Sequence, residues 1–72
     1  MKVFSKQKMM ERLEKEDRAH LVDEESAKIM DMLDGKEARK NDFKALIYGE
    51  LEYYVAHEGK NYPVNANDCV DK

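Results

Sequence analysis

The stretch Leu51-Glu-Tyr-Tyr-Val-Ala-His-Glu-Gly-Lys-Asn-Tyr-Pro-Val-Asn-Ala66 decides the fold, because two β-prone runs flank Glu58-Gly59 at the spacing of a two-residue hairpin loop. With the loop there, His57 faces Lys60, Val55 faces Tyr62, Tyr53 faces Val64 and Leu51 faces Ala66. One side of the ribbon then becomes apolar without adjustment. Pro63 has no N–H to donate, which confines the last strand to an edge. A second tight turn at Gly49-Glu50 would bring Leu46 and Tyr48 onto the same face, opposite Tyr53 and Leu51.

The same region also carries a helical pattern. Phe43, Leu46, Ile47, Leu51, Tyr54 and Val55 share one helical face, with Asp42 as cap and Gly59 as stop, and that reading gives a three-helix bundle. Gly49 would sit inside that helix at a cost of roughly 1 kcal/mol. The convergence of three apolar pairs on one sheet face favours the strands.

Upstream, two helices are expected. Ser5 caps a first helix running to about Asp17, and Phe4 and Met9 occupy the two positions of a hydrophobic staple around it. Met9, Met10 and Leu13 form its narrow apolar stripe, while Glu11 with Lys15 and Glu14 with Arg18 are spaced four apart in the favourable order. The second helix has Asp23 as cap, Glu24 and Glu25 in the first turn, a stripe of Ala27, Ile29, Met30 and Leu33, and Asp34-Gly35 as its stop. Lys36 to Asn41 is nearly all charged or polar and reads as a connector. The expected architecture is a single α+β domain over residues 1–72, with two N-terminal helices packed on a short C-terminal antiparallel meander.

A chain of 72 residues holds one core and buries only about 60% of the surface it exposes when unfolded. Hydrophobic residues make up 42% and charged residues 40%, enough apolar material to fold while much of the length faces water. The single cysteine, Cys69, rules out an internal disulfide, and the amino-terminal stretch Met1 to Leu13 has no continuous apolar run, so neither a signal peptide nor a membrane span is read there. These features point to the cytoplasm.

The net charge of −3 is unevenly spread. Residues 1–22 hold six bases and four acids, 23–35 one and five, 36–48 four and two, and 49–72 two and five. Non-specific nucleic-acid binding needs many Lys and Arg contacts to phosphate, which this acidic balance does not favour. A local patch of Lys36, Arg39, Lys40 and Lys44, close to Tyr48 and Tyr54, is the alternative nucleic-acid site; a solvated charged loop is its ordinary reading.

Catalytic chemistry finds little support. Cys69 lies in Asn-Asp-Cys-Val with neither a glycine-rich elbow nor a helix start to activate it, and a half-buried thiol under the sheet edge is expected instead. His20, His57 and Cys69 show no metal-ligand spacing, the acids from Asp23 to Asp34 are not spaced as an EF-hand, and no phosphate-binding glycine motif is present. No cofactor is expected, and no enzyme. On the sheet reading, Phe43, Ile47 and Tyr54 point away from the core with Ala45 and Ala56, and such a patch marks a protein partner or a homodimer, with the acidic second helix as a steering surface.

The run from Leu21 to Gly35, Leu-Ile-Tyr-Gly-Glu at 46–50 and Tyr-Pro-Val-Asn-Ala-Asn-Asp-Cys at 62–69 resemble small uncharacterised reading frames of phages and mobile elements in Gram-positive bacteria. The resemblance implies an accessory or regulatory protein, such as a small inhibitor of host defence, acting through protein contacts. It carries no functional residue with it.

Overall fold

The computed structural model describes residues 1–40 and 53–72. Its elements are β1 (Lys2–Phe4), α1 (Lys6–Lys15), a 3-10 turn (Ala19–Leu21), α2 (Glu24–Leu33), β2 (Arg39–Lys40), β3 (Tyr53–His57), β4 (Lys60–Val64), a second 3-10 turn (Ala66–Asp68) and β5 (Cys69–Asp71). The fold is α+β, with the two helices followed by antiparallel strands; β3 occupies residues that a third helix would have needed.

The hairpin forms in the expected register, with His57 opposite Lys60, Val55 opposite Tyr62 and Tyr53 opposite Val64. Glu58 and Gly59 both have positive φ, 49° and 80°, as a type I′ turn requires. That turn twists in the sense of the strands, and glycine accepts it without strain. β4 ends at Val64, and Ala66, the expected partner of Leu51, opens a 3-10 turn. Asn65 causes this break: its side chain accepts the Asn67 N–H at 2.8 Å, a local bond that competes with the ladder. Leu51 itself, the turn at Gly49-Glu50, and Leu46 and Tyr48 lie outside the described residues.

Both helix starts follow their caps. Ser5 Oγ accepts the Lys8 N–H at 3.2 Å, and Asp23 accepts the Ser26 N–H at 2.7 Å, which also holds the Asp23 carboxyl below the ordinary carboxylate range. α1 ends at Lys15, two residues before the expected stop. Asp17 adopts φ 56°, its N–H donates to the Glu14 carbonyl at 3.2 Å, and the Arg18 N–H donates to the Leu13 carbonyl at 2.7 Å. This is a Schellman ending with aspartate where glycine is usual. α2 ends in a type II turn: Asp34 has φ −57° and ψ 127°, Gly35 has φ 80°, and the Lys36 N–H returns to the Leu33 carbonyl at 3.0 Å.

Two features correct the sequence reading. Lys2–Phe4 is a strand, paired with β5 in the register Lys2 to Asp71, Val3 to Val70 and Phe4 to Cys69. Residues 36–40 of the expected connector pair through their backbone rather than looping free, and Asn41 lies outside the described residues. On its first half Phe4 N–H donates to the Lys36 carbonyl at 2.9 Å and Ala38 N–H to the Lys2 carbonyl at 2.8 Å; its second half, β2, pairs Arg39 with Tyr54 and Lys40 with Tyr53. Backbone pairing, which needs no apolar side chain, therefore joins the two small sheets through this charged segment, and only Ala38 of it is buried.

The core gathers Phe4, Met30, Leu33, Ala38, Val55, Val64 and Cys69, with Met9, Ile29, Tyr53 and Tyr62 among those packed against it. Cys69 is thus a core residue and not the half-buried thiol expected. Its position opposite Phe4 on β5 turns it inward, and burial pushes its thiol pKa up.

A candidate protein-binding cleft

Helices α1 and α2 both turn their apolar stripes to the core, and the chain between them leaves a recess at the surface. The reason lies in the link between them. The Schellman ending of α1, the 3-10 turn Ala19–Leu21 and the extended residue Val22 carry the chain sideways before Asp23 starts α2. A cleft of about 520 Å³ opens in that gap. Its floor is core, formed by Phe4, Leu13, Met30, Leu33 and Val64; its walls are Met9 from α1, Ile29 from α2 and Tyr62-Pro63 from β4. On the rim stands Leu21, 65% exposed, which with Met1 is one of two exposed large apolar side chains among the described residues.

One end of the cleft is closed by charge. The Arg12 guanidinium grips Asp68 with two bonds, Nε to Oδ1 at 2.8 Å and Nη2 to Oδ2 at 3.0 Å. The Asp68 side chain is 2% exposed and that of Arg12 24%, so the pair is largely withdrawn from water. Asp68 also ties the backbone together: its carbonyl accepts the Ser5 N–H at 2.8 Å and its own N–H donates to the Asn65 carbonyl at 2.9 Å. The hydrogen bond from Arg12 to Asp68 raises the pKa of the guanidinium, so its charge is permanent. Further out, Glu16 bridges Arg12 at 3.3 Å and Arg18 at 3.2 Å.

Among the described residues, no buried side-chain nitrogen or oxygen lacks a hydrogen-bond partner. The buried polar groups around the cleft are therefore already engaged with one another. What the cleft offers an incoming molecule is apolar surface with a charged margin, the composition of a protein-binding groove.

The residues singled out in the sequence fall elsewhere. Tyr54 is half-buried on the face of β3 turned away from the core, across from Arg39 on one side and Pro63 on the other, and Ala56 is exposed on the same face. Phe43, Ile47 and Ala45 lie outside the described residues, as does Lys44. Lys36, Arg39 and Lys40 are exposed, but Arg39 and Lys40 alternate across β2 onto opposite faces, and Arg39 faces Glu37 at 3.6 Å. Among the described residues no group of three or more His, Cys, Asp or Glu side chains comes together as a metal site, and no helix is long and apolar enough to cross a membrane.

The cleft itself was missed in the sequence, where the stripes of α1 and α2 read simply as core. The available signal was Leu21-Val22, two apolar residues in a short link that belongs to neither helix. No protein-family model matches this chain, and neither the curated proteins nor the solved structures contain a match to it.

Proposed function

We propose that this chain is a small protein-interaction module, regulatory or inhibitory and without catalytic activity of its own, that receives an apolar segment of a partner protein in the cleft between α1, α2 and β4. The observation that carries this reading is the open apolar cleft with exposed Leu21 on its rim. A side chain of that size left in water beside an apolar recess gives up about 1.5 to 3 kcal/mol of burial, which docking recovers. The recess suits the side chains of an amphipathic helix, two or three at i, i+3 and i+4 spacing.

Selection of a random helical-peptide library on the immobilised chain tests this. Enriched peptides are expected to be amphipathic and to lose binding to both Leu21→Asp and Ile29→Gln. Leu21 is exposed, so its substitution leaves the fold intact, as a circular dichroism spectrum verifies. Enrichment that ignores both substitutions, or no enrichment at all, refutes the assignment of the cleft.

A further inference from the structure

We infer that residues 68–72 form an exchangeable arm, through which two copies of this chain interlock, each laying its arm on β1 and α1 of the other. The seat and its occupant are both visible within one chain. Lys2 pairs with Asp71, Val3 with Val70 and Phe4 with Cys69; the Met1 amine donates to the Lys72 carbonyl and the Lys72 N–H to the Met1 carbonyl; the Ser5 N–H donates to the Asp68 carbonyl, and Arg12 grips the Asp68 carboxylate. Among the described residues, the hydrogen bonds and ion pairs that tie the arm to a distant part of the chain therefore end within residues 1–12. The arm brings one buried apolar side chain, Cys69, and the half-buried Val70, so its hold is mainly backbone and ionic. Bonds of that kind are met equally by residues 68–72 of a second copy, which is the route by which identical chains exchange an identical element.

The hinge is as short as the arm. Asn65, with φ −80° and ψ 134°, and Cys69, with φ −116° and ψ 152°, are already extended, so only Ala66, Asn67 and Asp68 must leave the 3-10 turn for β4 to run straight on into β5. What the turn gives up is local: the Asn67 N–H to Asn65 Oδ1, the Asp68 N–H and the Cys69 thiol to the Asn65 carbonyl, and the Cys69 N–H to the Ala66 carbonyl. Asn67 is exposed, so the groups it releases return to water. Straightened, the three residues span about 10 Å, which carries the arm away from its own β1 and toward that of a copy related by a two-fold axis. The cleft survives the exchange, but the Asp68 that closes its end then belongs to the other copy.

Two charge-reversed variants test the exchange. In Arg12→Asp and in Asp68→Arg, like charges meet at the seat whether the arm closes on its own chain or on an identical copy, so each variant alone should lose most of its native circular dichroism and form no dimer. Mixed in equal amounts, each seat receives an arm of opposite charge from the other variant, and a folded one-to-one dimer should appear. Sedimentation equilibrium up to about 1 mM, where an association of even millimolar strength is half formed, reads the mass. The parental chain refolded from urea at that concentration should yield the same kind of dimer, slow to revert on dilution because the arms must come off first. A parental chain that returns as monomer alone overturns the inference. So does a parental dimer formed while the mixed variants fail to restore each other, because that dimer uses another face.

Discussion

Replacing Arg12 with alanine leaves the Asp68 carboxylate almost wholly out of water with both of its guanidinium bonds gone. Breaking a buried pair by removing one partner costs about 3 to 5 kcal/mol. About a quarter of the Arg12 side chain is exposed, which admits some solvent, so the low end applies and about 3 kcal/mol is expected. A domain of 72 residues has a total stability of about 4 to 11 kcal/mol, so Arg12→Ala removes a large share of it. The melting temperature should fall by about 12 to 24 °C, at 4 to 8 °C per kcal/mol for a chain this small. Urea unfolding followed by circular dichroism gives the free energy directly, with Arg18→Ala as the control, since its exposed pair with Glu16 contributes no more than about 1 kcal/mol. Arg12→Lys should recover less than half of the loss, because an ammonium cannot span both carboxylate oxygens as the guanidinium fork does. If Arg12→Ala unfolds within about 1 kcal/mol of the parent, the pair does not hold the carboxy-terminal turn to α1 and the argument fails.

Other consequences are as open to measurement. Glu58→Asn should stabilise the hairpin by about 0.5 kcal/mol, because Asn-Gly suits the two positive φ values better than Glu-Gly, whereas Gly59→Ala should cost about 1 kcal/mol; both are read as shifts in the urea midpoint. The Asp23 carboxyl is held below its ordinary range by the Ser26 N–H, so its contribution is complete above the unfolded-state value and is lost as the pH falls through the lower folded value. Asp23→Asn should therefore flatten the acid limb of a stability-against-pH curve below about pH 4, and an unchanged limb would deny the cap its role. Cys69 is buried and its thiol pKa raised, so labelling by a thiol reagent at pH 8 should be at least about a hundredfold slower in the native chain than in denaturant; equal rates would show that β5 opens freely.

The elements legible in the sequence are those whose instructions lie close together. Glu58-Gly59 sets both the turn and the register of its flanking strands, and Asp23 with Asp34-Gly35 brackets α2, so each could be read within a dozen residues. α1 was overestimated by two residues because aspartate at position 17 takes a backbone conformation more usual for glycine. β1 escaped notice because three residues are too few to show alternation, and its partner strand lies at the other end of the sequence. Residues 36–40 escaped because charged side chains obscure a backbone that pairs on both of its halves. The site was harder still. Arg12 and Asp68 are 56 positions apart, and the cleft depends on the angle at which a link of a few residues delivers one helix beside another, which side-chain pattern does not encode.

The pairing of β1 with β5 has a consequence for folding. β1 is flanked on one side by residues 36–38 and on the other by residues 69–71, and the Met1 amine and N–H of Lys72 exchange bonds with the facing carbonyls at 2.9 and 2.8 Å. Until β5 docks, Phe4 has no Cys69 to close against and Arg12 no Asp68. The helices and the β3–β4 hairpin can form locally, but the core is sealed only once β5 pairs with β1, a closure between distant parts of the sequence that makes this step non-local and slow relative to the first. Until then the apolar stripes stay open to water, and deleting Val70, Asp71 and Lys72 should leave them so.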